Sequence, residues 1–231
     1  MRILNFIFLV NKENYLNLRE QLGETVILVA VSKMKPVGDI LQLYELGQRD
    51  FGENYVQELL IKQPSLPADI RWHFIGHLQS NKVKQIAPFI HLIHSVDSTK
   101  LIREIHKEGA KNNRVIDCLL QVHIAKEETK FGLDDKEAEL VLKEIKNSDD
   151  SNGKSFARVA GLMGMASFSD DQQLLQHEFS SLKQLYDRLS VLKSQSIAFR
   201  YLSMGMSNDY ALAVTEGSNV VRVGSLLFGL R

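Results

Sequence analysis

Eight short apolar or β-branched segments alternate with stretches of helical pattern along this chain of 231 residues. The strand-like segments lie at 26–33, 50–54, 72–76, 90–96, 117–124, 158–165, 199–204 and 219–223. Helical pattern follows at 37–46, 55–62, 80–87, 99–111, 134–146, 170–192, 207–216 and, briefly, 225–230. Ser80, Ser98 (or Asp97) and Ser207 stand as candidate helix caps. Strict alternation implies parallel strands joined by right-handed crossovers. Eight such units in about 200 residues predict one (β/α)8 barrel of the TIM type. An amphipathic stretch at 11–22, ended by Gly23, predicts an extra N-terminal helix. The α/β barrel takes up the chain from 1 to 231 as a single domain. The turn-rich run 147–155, NSDDSNGKS, predicts a mobile surface loop.

Composition bounds the function. Hydrophobic residues at 44% and charged residues at 24% are ordinary for a globular protein. Lys+Arg and Asp+Glu are both 28, which argues against a broad basic surface for nucleic acid. The one cysteine, Cys118, sits in an apolar run and has no internal partner for a disulfide. A reducing cytoplasmic location is the expectation, and Cys118 is expected to be a small core residue. The N-terminal MRILNFIFLV is too short to span a membrane and lacks a small-residue cleavage site. It predicts a packing helix, with no membrane association.

In a barrel of this kind the site lies at the C-terminal ends of the strands. Residues 27, 29, 31 and 33 share one face of the first strand, which makes Lys33 its last inward residue. Burial there lowers a lysine pKa and frees the amine for Schiff-base chemistry. The same position also suits a lysine that snorkels to water. Pro36 closes the strand. Two loops, Ser203-Met204-Gly205-Met206-Ser207 and Gly224-Ser225, follow the last two strands. Each offers backbone N–H groups, a hydroxyl and little bulk, which suits a phosphate dianion. Arg222 interrupts an apolar strand, and an inward arginine needs an acceptor, for which a pyridine nitrogen would serve. His73 and His77 lack a third ligand at metal-site spacing, and His91, His94, His106, His123 and His177 show no constellation. No metal is expected. The Met-rich phrases GLMGMA and SMGM are expected in the barrel core.

The phrases AVSKMKP (30–36), FGENYVQE (51–58), WHFIGHLQSNK (72–82), HSVDS (94–98), KFG (130–132), GLMGM (161–165), SMGMSND (203–209) and VRVGSLLFG (221–229) occur in this order. Together they resemble the pyridoxal 5′-phosphate homeostasis protein family, a single-domain barrel related to the barrel domain of alanine racemase. The resemblance implies that Lys33 carries pyridoxal 5′-phosphate (PLP) as an internal aldimine and that Arg222 faces the pyridine nitrogen. It also implies that Ser203, Ser207, Gly224 and Ser225 hold the phosphate and that Asn54 lines the pocket. The family is regarded as holding and distributing vitamin B6 cofactor without established catalysis. No catalytic residue is therefore expected.

Three functions compete at this point. The first is a non-catalytic PLP carrier, monomeric, with apo PLP-dependent enzymes as possible partners. The second is a PLP-dependent amino-acid racemase, which needs a second proton-transfer residue opposite Lys33. In the resembling enzyme that residue comes from an added domain of a partner subunit, and this chain, ending at Arg231, is expected to lack one. The third is a sugar-phosphate isomerase or aldolase using Lys33 as the imine-forming amine. Visible absorbance separates the third from the other two.

Overall fold

The computed structural model describes residues 10–125, 132–152 and 154–229. Its elements run α1 (Lys12–Leu22), β1 (Ile27–Val31), α2 (Val37–Glu45), β2 (Asp50–Glu53), α3 (Val56–Lys62), β3 (Arg71–Phe74), α4 (Val83–Ile86), β4 (Leu92–Val96) and α5 (Thr99–Lys111). They continue β5 (Ile116–Val122), α6 (Asp135–Asn152), β6 (Ala157–Gly164), α7 (Gln172–Ser190), β7 (Ile197–Ser203), α8 (Tyr210–Thr215), β8 (Val220–Val223) and α9 (Ser225–Phe228). All eight strands are parallel and close into a barrel in sequence order. The expected alternation and the extra N-terminal helix are both present. The apolar start of the chain, expected to pack as helix, and most of the loop at 126–132 lie outside the described residues.

Several local expectations need correction. Residues 147–152 continue α6 instead of forming a loop. The helix start explains the stability of α6: Asp134 Oδ1 accepts from Glu137 N at 2.8 Å, and Glu137 Oε2 accepts from Asp134 N at 2.8 Å. This is a capping box, and it compensates for a polar C-terminal half. Ser80 does not cap. It opens a 3₁₀ turn, Ser80–Lys82, ahead of the short α4. Ser98 does cap, accepting from Leu101 N at 3.4 Å. The start of α8 falls at Tyr210 with Asp209 before it, so Ser207 is left free of a capping role.

Two apolar regions result from the two faces of the strands. The outward face, with Leu28, Ala30, Phe51, Trp72, Phe74, Ile93, Leu120 and Val221, packs under the helices. Burying each large side chain there stabilises the fold by about 1.5–3 kcal/mol. Cys118 belongs to this layer, and burial pushes its thiol pKa up, so it is the inert core residue expected. On the inward face Leu92, Leu119, Ala160 and Met163 form a small apolar cluster, with Met165 and Tyr201 against it. Met163 thus lies in the barrel as expected, whereas Met204 faces the outer layer and Met206 is exposed. At the β6–β7 seam a register shift lies between Val159 and Gly161. Gly161 has φ +148°, and a Cβ there would sit 1.8 Å from Tyr201 O. Only glycine permits that approach.

The N-terminal rim of the barrel is ionic. Arg71 Nε and Nη2 both bond the Asp50 carboxylate, at 2.7 and 2.5 Å. Asp117 takes Arg158 at 2.6 Å and also takes Arg200. Among the described residues no helix is long and apolar enough to cross a membrane.

Candidate functional site

The first strand ends two residues earlier than expected, at Val31, so Lys33 stands in a turn beyond the strand and not on it. Lys35 N donates to Ser32 O at 3.0 Å and closes that turn. Met34, at φ +60°, carries its left-handed residue. Lys33 is half-buried. The other lysine in the phrase, Lys35, is already engaged, its Nζ donating to Phe228 O at 2.8 Å.

What holds this turn comes from β2 and α3. The Lys62 ammonium, 5% exposed, donates to Ser32 O at 2.8 Å, Glu53 Oε1 at 2.8 Å and Glu58 Oε1 at 2.6 Å. Ser32 Oγ donates to Glu53 Oε1 at 2.6 Å, and Met34 N donates to Glu58 Oε1 at 2.5 Å. The backbone on both sides of Lys33 is therefore gripped by charged groups on the neighbouring unit. Burial raises the Glu53 pKa, against the hydrogen bonds from Lys62 and Ser32. Sequence reasoning did not find Lys62, Glu53 or Glu58. The available signal was the i,i+4 spacing of Glu58 and Lys62 on a helix, but that spacing reads equally as an exposed pair.

Asn54 follows β2 and is half-buried. Its Oδ1 is buried and meets no hydrogen-bond partner. Gly76 lies directly beneath, where a Cβ would come within 2.2 Å of Asn54 O. The β3–α4 loop thus seats the Asn54 backbone at the mouth.

Arg222 points into the barrel and is 4% exposed. It sits opposite Val29 in the β1–β8 register, which puts it on the inward face. Its Nη1 donates to Ser203 O at 2.8 Å and Ser203 Oγ at 2.5 Å, and its Nη2 donates to Gly164 O at 2.9 Å. These contacts leave donor capacity on a group with five N–H bonds. Burial pulls its pKa down to about 10, which keeps it charged at neutral pH.

The phosphate candidates divide. Ser207 Oγ accepts from Gly224 N at 3.3 Å, which joins the loops after β7 and β8. Ser207 keeps its own proton to donate. Ser225 is exposed at the start of α9 beside it. Ser203 does not join this group. It is fully buried, and its hydroxyl is engaged by Arg222 and by His94.

The expectation that the histidines form no constellation is overturned. His73 Nδ1 lies 2.9 Å from His94 Nε2, His73 Nε2 lies 3.0 Å from Asp50 Oδ1, and His94 Nδ1 lies 3.1 Å from Ser203 Oγ. Burial alone would raise the Asp50 carboxyl, but hydrogen bonds from Arg71 and His73 outweigh it and hold it below the usual range. Burial holds His94 far below the ordinary histidine value, and the neighbouring His73 and Arg222 add to the effect. His91 stands at the rim with much of its surface in solvent. Desolvation of its inner side and His73 push its pKa down to about 4. Sequence could not show this grouping, because the side chains come from β2, β3, β4 and β7. Donor atoms of Asp50, His73 and His91 lie within 4.8 Å of one another, but the Arg71 guanidinium already occupies the carboxylate and opposes a cation there. His77 stays apart, about half exposed, with Nδ1 3.7 Å from Asp97 Oδ2.

Comparison with known proteins identifies the family. The family described as alanine racemase, N-terminal domain, matches residues 11–231. A pyridoxal phosphate homeostasis protein from Aquifex aeolicus is 38% identical over 208 residues, 88% of this chain and 86% of that protein. One from Schizosaccharomyces pombe is 39% identical over 213 residues, 90% of this chain and 86% of that protein. The structure of PipY from Synechococcus elongatus with PLP bound superposes with a TM-score of 0.82 at 35% identity, covering 94% of this chain and 99% of that one. An alanine racemase from Bartonella henselae, at 19% identity and a TM-score of 0.69, shares the fold over 56% of its length. The chain belongs to the pyridoxal phosphate homeostasis protein family.

Proposed function

We propose that this protein binds pyridoxal 5′-phosphate at the C-terminal mouth of the barrel and serves to hold and distribute the cofactor, without turning over a substrate. The observation that carries the reading is a convergence at one mouth. The clamped Lys33 turn after β1 lies beside the Arg222 strand and the joined Ser207–Gly224 loops. The chemistry of the donor set fits the group. The buried Asn54 Oδ1 has no partner, Ser207 has a proton to give, and Arg222 retains donors. A PLP-bound relative of the same fold supports it.

In this reading the Lys33 amine condenses reversibly with the cofactor's aldehyde, releasing water. Ser207, Gly224 and Ser225 hold the phosphate. Arg222, always a donor, faces the ring nitrogen and keeps it unprotonated, so the ring is a poor electron sink. Ser203 acts one step back, by holding Arg222. Asn54 lines the pocket. The chain works as a cytoplasmic monomer that supplies apo PLP-dependent enzymes.

Losing a hydrogen bond to a charged group costs about 1.5–3 kcal/mol. Ser207→Ala and Ser225→Ala should each weaken PLP binding by roughly tenfold or more, measured by fluorescence titration of the apo protein. Equal affinity for pyridoxal and its phosphate would remove the phosphate site. The carrier role is tested by mixing loaded protein with an apo PLP enzyme and following recovery of that enzyme's activity, beside an amino-acid racemisation assay. Transfer without racemisation is the expected result. Lys33-dependent racemisation without transfer would make the protein an enzyme.

A further inference from the structure

Five side chains form a continuous hydrogen-bonded chain along the inside of the barrel, from the N-terminal rim to the mouth. Asp50 Oδ1 meets His73 Nε2 at 3.0 Å, His73 Nδ1 meets His94 Nε2 at 2.9 Å, His94 Nδ1 meets Ser203 Oγ at 3.1 Å, and Ser203 Oγ meets Arg222 Nη1 at 2.5 Å. His73, His94, Ser203 and Arg222 are all buried, so bulk solvent does not compete for these contacts.

The two ends of this chain are chemically fixed. Arg222 can only donate, so one lone pair of Ser203 Oγ is taken. Asp50, ionised and held by Arg71, can only accept. We take one proton on each imidazole, which leaves each ring one donor and one acceptor nitrogen. One arrangement then satisfies every contact: His73 gives its Nε2 proton to Asp50, His94 gives its Nε2 proton to His73, and Ser203 gives its hydroxyl proton to His94. Every proton points toward Asp50.

We propose that Asp50 is a positioning residue for the cofactor site, acting from the opposite end of the barrel by fixing the direction of this chain and thereby the proton arrangement around Arg222. The proposal rests on the reading of Arg222 as the group that faces the cofactor ring. In the forward direction the Ser203 hydroxyl proton is tied to His94, and a lone pair is presented to Arg222. In the reverse direction His94 Nδ1–H would donate to Ser203 Oγ. The hydroxyl proton would then have to turn away from His94. His73 and His94 are positioning residues in the same sense.

The chain direction is readable without cofactor, from the ring-nitrogen signals of apo protein labelled with ¹⁵N-histidine. In the natural sequence His94 should carry its proton on Nε2, with Nδ1 unprotonated. Asp50→Ala removes the acceptor facing His73 and leaves the Arg71 donors there, so the His94 proton should no longer be confined to Nε2. Asp50→Glu, again acceptor-only, should restore the original pattern. Arg71→Gln, which keeps the Asp50 acceptor, should leave the pattern unchanged. In PLP-loaded protein, Asp50→Ala should shift the absorbance of the bound cofactor and change its Kd by about two- to tenfold, the size of one net hydrogen bond. Asp50→Glu should reverse both effects.

A His94 proton on Nδ1 in the unsubstituted protein overturns the proposal, and that measurement needs no variant to fold. So does an unchanged His94 pattern in Asp50→Ala, or a changed pattern with cofactor absorbance and Kd untouched. Failure of the unsubstituted protein to take up PLP would defeat the function reading. The histidine signals would still decide the direction of the chain.

Discussion

Lys33→Ala is expected to abolish covalent capture of PLP, leaving a protein that refolds normally but shows no cofactor colour after desalting. The reason is specific to this turn. Lys33 is half-buried between two backbone groups that α3 holds in place, Ser32 O by Lys62 and Met34 N by Glu58. An amine delivered on a fixed backbone spends little entropy on reaching one position. The neighbouring Lys35 is a poor substitute, since its ammonium is bound to Phe228 O at 2.8 Å and lies over the Phe228 ring. Borohydride reduction followed by peptide mass mapping should therefore place the pyridoxyl group on Lys33 alone. An adduct on Lys35 with Lys33 unmodified would overturn the assignment.

The second large effect concerns stability. Lys62→Met should destabilise the apo protein by about 3–5 kcal/mol, the cost of removing one partner from a buried ion pair. Glu53 is fully buried, and with Lys62 gone its carboxylate keeps only the Ser32 hydroxyl. The cost exceeds that of a surface pair such as Lys183–Asp187, where solvent screens both charges. For a chain of this length the loss corresponds to a fall in Tm on the order of 10 °C. Removing the second charge as well, in Lys62→Met/Glu53→Leu, should recover most of the stability, since an apolar pair of similar volume is often no worse than a buried ion pair. Differential scanning calorimetry on the two variants checks both statements. A Tm within about 2 °C of the parent for Lys62→Met, well under the shift expected of a buried pair, would show that the pair contributes little.

The sequence by itself determined the architecture and the positions at which candidate site residues stand. Periodicity is a local property, and eight strand-helix units can bury both faces of a parallel sheet only by closing it or covering it with helices. The positions of Lys33, Asn54, Ser207, Arg222, Gly224 and Ser225 follow from strand ends, and strand ends are legible. The tertiary structure alone decided three things. It ended β1 at Val31: Ser32 N still donates to Gly52 O on β2 at 3.0 Å, but Lys35 N turns back to Ser32 O while Lys62 and Glu58 hold the turn, so Lys33 stands in a turn. It set Ser203 apart from the Ser207–Gly224 loops by bonding it to Arg222 and His94 across the barrel. It assembled Asp50, His73, His94 and Ser203, which are 23, 21 and 109 residues apart in succession, into one chain. Side-chain alternation tells which residues face inward. Which inward residues stand at the same height depends on the stagger of all eight strands and on the shifts at Cys118/Leu119 and Val159/Gly161. That stagger is set by closure of the whole sheet, and no single segment carries it.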